Sequence, residues 1–186
     1  MDFLKKFMMI VEKTNMWVGK MLVIVNALAV FVITFEVVMR YAFSKPTNWG
    51  HESMTLMYAV IYVMAGGFAH FYRAHVRVDV IYALQSDRTK AWMDLFTSIF
   101  FFTFVIVLAW TSWNFYWSSQ MMEAGGTLFG VNVIGENSFT DWAPPLYPVK
   151  FMLFLGSLLL LLQGVVWFIR DIHMAFWGGS WHDDEH

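Results

Sequence analysis

The chain has 186 residues, 59% of them hydrophobic and only 14% charged, with no cysteine and a formal net charge of −2. Soluble domains average about 45–50% apolar and about 25% charged residues, so an ordinary water-soluble globule is excluded, in line with the mean hydropathy of +0.53. The missing cysteines exclude disulfide frameworks, thiolate metal sites and cysteine nucleophiles, and the slightly acidic balance lacks the basic footprint that nucleic acid demands.

Residues 1–20 place Phe3, Leu4, Phe7, Met8 and Val11 on one helical face, with Lys5, Lys6, Glu12 and Lys13 opposite. That pattern predicts an amphipathic helix lying in the membrane interface and feeding into the first span. A cleaved signal peptide fits poorly, because the apolar stretch is too long and no small-residue cleavage site follows. Four spans come next, at about 21–40, 52–72, 90–117 and 149–169. Each approaches or exceeds the roughly 20 helical residues needed to cross a hydrocarbon core. Their apolar runs are continuous, whereas a barrel strand would alternate at every second residue. Ser86 or Asp87 suits the N-cap of the third helix. The longest connection, 118–148, is punctuated by glycine and proline. The expected fold is thus an all-α integral membrane protein. It has one four-helix domain over 1–175, an N-terminal interfacial amphipathic helix and a short polar tail over 176–186.

Lys5, Lys6, Lys13, Lys20, Arg73, Arg77, Arg88, Lys90 and Arg170 fall on one side of these spans, and only Arg40, Lys45 and Lys150 on the other. The positive-inside bias therefore predicts cytoplasmic termini and an external 118–148 loop. Trp110, Trp113, Trp117 and Trp142, with Trp167 and Trp177 at the opposite end, have the placement of interfacial aromatic belts.

Ionisable groups within a span raise a functional hypothesis by default. Glu36 stands near the end of span one with Arg40 at i+4, within reach of a salt bridge. Asn26, Ala29, Ile33, Glu36 and Arg40 form one small-and-polar stripe. Glu52, Thr55, Ala59, Tyr62, Gly66, His70 and Arg73 form a second. Such stripes face protein rather than lipid. A proton or ion relay at Glu36 would need further titratable groups at successive depths. A helix-locking Glu–Arg pair does not, and it is the preferred reading. His70 and His173 lie near the same ends of spans two and four, which keeps a haem- or quinone-binding redox anchor as the alternative. No nucleophile–base pair, phosphate loop or zinc spacing is identifiable, so no enzyme is expected and no catalytic, metal or cofactor site is assigned.

Several ordered motifs carry a family resemblance. They are Glu36-x-x-x-Arg40-Tyr41-x-Phe43, then Trp49-x-x-Glu52, then Tyr72-Arg73-Ala74-His75-Val76-Arg77-Val78-Asp79. Pro144-Pro145-Leu146-Tyr147-Pro148 follows, ahead of Gln163 and Arg170. Over roughly residues 15–172 the chain resembles the small membrane subunit of tripartite ATP-independent periplasmic (TRAP) transporters. The 118–148 loop is similar to that of its longer-looped members.

The resemblance implies a bacterial inner-membrane protein that works only in a complex. A large membrane subunit would hold the substrate and the coupling sodium ions, with no cofactor in this chain. A periplasmic solute-binding protein would deliver an organic acid. The small subunit would be the scaffold against which the moving part slides. It implies that Glu36 and Arg40 fix the first helix, internally or against the large subunit. Trp49 and Glu52 would begin helix two, and His75, Arg77 and Asp79 would order the turn that follows it. Glu123, Glu136 and Asp141 would offer acidic contacts to the binding protein.

Overall fold

Forty consecutive residues, Asp2–Tyr41, form one uninterrupted helix, α1. The computed structural model describes residues 2–73, 82, 84–122, 127–128, 131–132 and 135–178. At about 1.5 Å per residue α1 is roughly 60 Å long, about twice the thickness of a hydrocarbon core. The N-terminal segment is therefore continuous with the first span rather than a separate element. Part of its apolar face packs inward: Met8 and Val11 are buried against Val166, with Phe7 and Ile169 around them. Phe3, on the same face, is exposed.

Helix α2 (Gly50–Phe71), α3 (Asp87–Gln120) and α4 (Tyr147–Trp177) complete the bundle. All four helices are long and apolar enough to cross a membrane. Their boundaries follow local chemistry. Ser86 caps α3, its hydroxyl accepting from the Thr89 N–H at 3.3 Å. Pro148 occupies the first turn of α4, where its missing N–H costs nothing. Gly178 closes α4 in the left-handed conformation, φ 70°, which glycine adopts without a Cβ penalty. Arg73 ends α2 with φ 49°, and its N–H reaches the His70 carbonyl at 3.0 Å.

α4 is the central helix and touches the other three. Small residues allow the close approaches: a Cβ on Gly156 would press on the Val63 backbone of α2, and one on Gly67 would meet Leu159 of α4 and the Asn15 side chain of α1. In a bilayer such close van der Waals packing replaces the hydrophobic drive available in water. Gly19 abuts Phe68, Asn15 bonds Gln163 and Phe101 abuts Gly164, which fixes α1 antiparallel to α2 and α4, and α3 antiparallel to α4. One end of the bundle therefore carries both Asp2 and Trp177, and the other carries the α1–α2 and α3–α4 connections. The second connection includes a two-residue hairpin, β1 (Thr127–Leu128) with β2 (Val131–Asn132), paired Thr127↔Asn132 and Leu128↔Val131. Large apolar side chains such as Phe31, Phe100 and Trp110 point outward, as a lipid-facing surface requires.

Candidate functional site: polar clamps at the two bundle ends

At the loop end, Glu36 is 2% exposed and both of its carboxylate oxygens are engaged. Oε1 accepts from Arg40 Nη2 at 2.7 Å and from Nε at 3.3 Å. Oε2 accepts from the Thr47 N–H at 3.1 Å and from the Thr47 hydroxyl. That hydroxyl in turn accepts from the Gly50 N–H at 3.2 Å, serving an orphan donor in the first turn of α2. Trp49, the residue before α2, has no side-chain capping bond and stacks on Phe35 at 6.1 Å. One carboxylate thus ties α1, the intervening turn and the start of α2 into a closed unit. Glu36 and Arg40 pair internally. The cluster leaves no carboxylate oxygen for a relay.

Glu52 joins a different contact, accepting from Thr140 of the α3–α4 connection. Glu136 folds back on Lys150 of α4, and Lys150 lies 3.9 Å above the Phe115 ring of α3. The Glu136 N–H reaches the Ser119 carbonyl at 2.8 Å, and its own carbonyl accepts from the Leu146 N–H at 2.8 Å. The Lys150 ammonium beside it holds the Glu136 carboxyl below its ordinary value of 4.5. Of the residues expected to meet a binding protein, Glu136 is committed to the fold while Asp141 is exposed. Glu123, His75, Arg77 and Asp79 lie outside the described residues.

The opposite end carries a network that sequence reasoning missed. Arg73, just past α2, pairs with Asp171 of α4 at 3.1 Å and lies 3.8 Å from Asp94 of α3. The Tyr82 hydroxyl donates to Asp94 at 2.7 Å. Arg170 of α4 pairs with Glu12 of α1 at 2.7 Å. Trp167 sits at the centre, with Arg73 3.9 Å and Arg170 5.0 Å from its ring, and its Nε1–H donates to the His70 carbonyl at 3.0 Å. Trp167 is thus a half-buried residue with a structural role at this end of the bundle. Deeper in, Asn15 Nδ2 donates to Gln163 Oε1 at 2.8 Å, both residues wholly buried. The available signal was charges of opposite sign at matching span ends, Glu12, Asp94 and Asp171 against Arg73 and Arg170.

The stripes divide on folding. Ala29 and Glu36 are buried and Ile33 is half-buried, but Asn26 is exposed. On α2, Thr55 is exposed and Tyr62 is 77% exposed, its ring stacked on Tyr58 at 6.2 Å. Each of the two histidines weighed for haem has an aromatic neighbour: His70 stacks on Phe101 at 4.8 Å and His173 on Trp177 at 5.5 Å. Among the described residues no three His, Asp or Glu side chains converge as a metal-holding group.

Residues 29–174 match the family described as tripartite ATP-independent periplasmic transporters, DctQ component. The chain belongs to the DctQ family. It is a multi-pass membrane protein and the small subunit type of a TRAP transporter, a transporter component rather than an enzyme. No curated protein matches it significantly. The DctQ match includes the Glu36 clamp, Arg73, Asp94 and the Gln163–Asp171 stretch. It begins at residue 29, within α1, and the Glu12–Arg170 and Asn15–Gln163 contacts fasten the N-terminal half of that helix to α4.

Proposed function

We propose that this DctQ subunit is the fixed scaffold of an ion-gradient-driven TRAP uptake system for organic acids in a bacterial inner membrane. The large membrane subunit would carry the substrate and the coupling sodium ions. The observation that carries this reading is the charge-free centre of the bundle. No Asp, Glu, Lys or Arg occurs in residues 21–35, 53–72, 95–117 or 151–169, and Glu36, Arg40, Glu12, Arg73, Arg170 and Asp171 at the two ends pair with one another. A cargo path would place some of those groups deeper.

Two outward-facing polar side chains support a protein partner on the bundle surface. Gly19 lies against Phe68 and Glu36 near Gly50, so Asn26 is level with roughly residue 60 of α2. Exposed Asn26 and exposed Tyr62 therefore lie near the same depth. Neither makes a hydrogen bond through its side chain among the described residues. In lipid such groups want a protein partner. The lysine and arginine distribution favours N-in, C-in orientation, which presents Asp141 to the periplasm as a contact for the solute-binding protein.

The test is co-purification. A tagged chain extracted from membranes that co-express its neighbouring large membrane protein should retain that protein at near-equal stoichiometry, and Asn26→Leu with Tyr62→Ala should loosen it. Substrate uptake by the small subunit alone in liposomes would overturn the scaffold reading. Asp141→Lys should weaken uptake in a salt-dependent manner with the membrane complex intact. Unchanged uptake removes Asp141 from docking.

A further inference from the structure

A cavity of about 500 Å³ opens between the N-terminal half of α1 and the end of α2. Among the described residues three cations border it, Lys13, Arg73 and Arg170, against one anion, Glu12. Arg170 is paired with Glu12 and Arg73 with Asp171. Lys13 is exposed and has no carboxylate partner among the described residues. Among the described residues the cavity therefore keeps an unpaired positive charge. Its remaining wall is apolar, with Met9, Met16 and Phe71 prominent, and Met9 is 57% exposed. Both features have a definite depth. Lys13 borders the same space as the Phe71–Arg73 turn, where the apolar run of α2 gives way to charge. An apolar-to-charged boundary at a span end is where headgroup phosphates are expected.

We propose that this cleft binds an anionic glycerophospholipid. Its phosphodiester would be held by Lys13 with help from Arg73 and Arg170, and an acyl chain would lie along Met9, Met16 and Phe71. Basic pockets between spanning helices are suited to anionic headgroups, and each nearby Lys or Arg contributes about fivefold in affinity. A zwitterionic lipid brings its own cation into the pocket and loses that gain. Met9, Glu12, Lys13 and Met16 lie on the N-terminal half of α1, ahead of the DctQ match at residues 29–174. The site does not depend on the transport reading.

Native mass spectrometry of the delipidated full chain in neutral detergent tests the proposal. Phosphatidylglycerol and phosphatidylcholine with matched acyl chains serve as probes. Phosphatidylglycerol should bind about fivefold or more tightly. Lys13→Glu should bring the two lipids to near parity without moving the thermal midpoint, and Lys13→Gln should do so in part. Lys6→Glu, the same charge change on the same helix outside the cleft, should keep the wild-type preference. Equal binding of both lipids to the wild type, or equal losses in Lys6→Glu and Lys13→Glu, would overturn the proposal. So would displacement of phosphatidylglycerol by millimolar inorganic phosphate alone, since that would mark a site for free phosphate.

Discussion

The two ends of the bundle are held by unlike devices. At the loop end, Glu36, Arg40, Thr47 and Gly50 close a clamp within fifteen consecutive residues of chain, 36–50. At the terminal end, Glu12, Arg73, Asp94, Arg170 and Asp171 come from four different parts of the chain and meet only when the bundle assembles. The first is local and built on one buried carboxylate, the Glu36 side chain being 3% exposed although Arg40 is half exposed. The second is distributed, and its carboxylates Glu12 and Asp171 are each partly open to the outside. A local clamp can form as soon as its helix ends do, and it fixes the geometry of one turn. A distributed network depends on all four helices and reports whether they are docked.

Breaking the clamp should have the largest effect. Glu36→Ala strands Arg40 and Thr47 and frees the start of α2, and it should lower the thermal midpoint in detergent by about 5 °C or more. Arg40→Ala should cost clearly less, because Thr47 still holds the carboxylate and Arg40 is half exposed. Equal losses would show that the charge pair, and not the Thr47 bridge, carries the clamp.

The buried amide pair sets the next step. Asn15→Leu leaves Gln163 without its partner in an apolar site and should destabilise by about 1–3 kcal/mol. Adding Gln163→Leu should recover much of that loss in a double-mutant cycle. A strictly additive result would disconnect the two positions.

The terminal-end network should be weaker and salt-sensitive. Arg73→Gln should cost less than about 1 kcal/mol, since the guanidinium is substantially hydrated. The difference from wild type should shrink at high salt. A large, salt-independent loss would mean that packing on Trp167, and not charge, dominates.

The smallest effect concerns Glu136. Its carboxyl is held below 4.5 by Lys150. The contribution of that pair is therefore complete above the unfolded carboxyl value and disappears as the pH falls through the lowered folded value. Hydrogen exchange over residues 136–146, corrected for the intrinsic pH dependence, should show protection that persists to about pH 4.5 and fades below it. Lys150→Met should remove protection at neutral pH as well.

The difference between the ends also explains what could be read in advance. Glu36 and Arg40 are spaced at i and i+4, so helical geometry alone brings them together. Thr47, the third member, lay beyond that reach because it is placed by the turn after α1, where Ser44 takes φ 51°. The Glu12–Arg170 and Asn15–Gln163 pairs are more than 140 residues apart in sequence. No periodicity brings such residues into register. Glu136 shows the converse: its charge suggested an outward role, and a lysine fourteen residues later turned it inward.

Composition and hydropathy by themselves determined that this chain crosses a membrane with four helices. A continuous apolar run of about twenty residues has no other stable form in lipid, because its backbone must bond to itself. The ordered motifs also determined the family. The tertiary structure alone decided which polar residues close on one another and which face outward. It put Trp167 inside a charge network, left Asn26 and Tyr62 on the surface, and made the first helix long enough to frame a cationic cleft with α2. Those outcomes depend on how helices lie against each other. That is set by the summed fit of small residues such as Gly67 and Gly156 across facing surfaces, which a linear pattern does not encode.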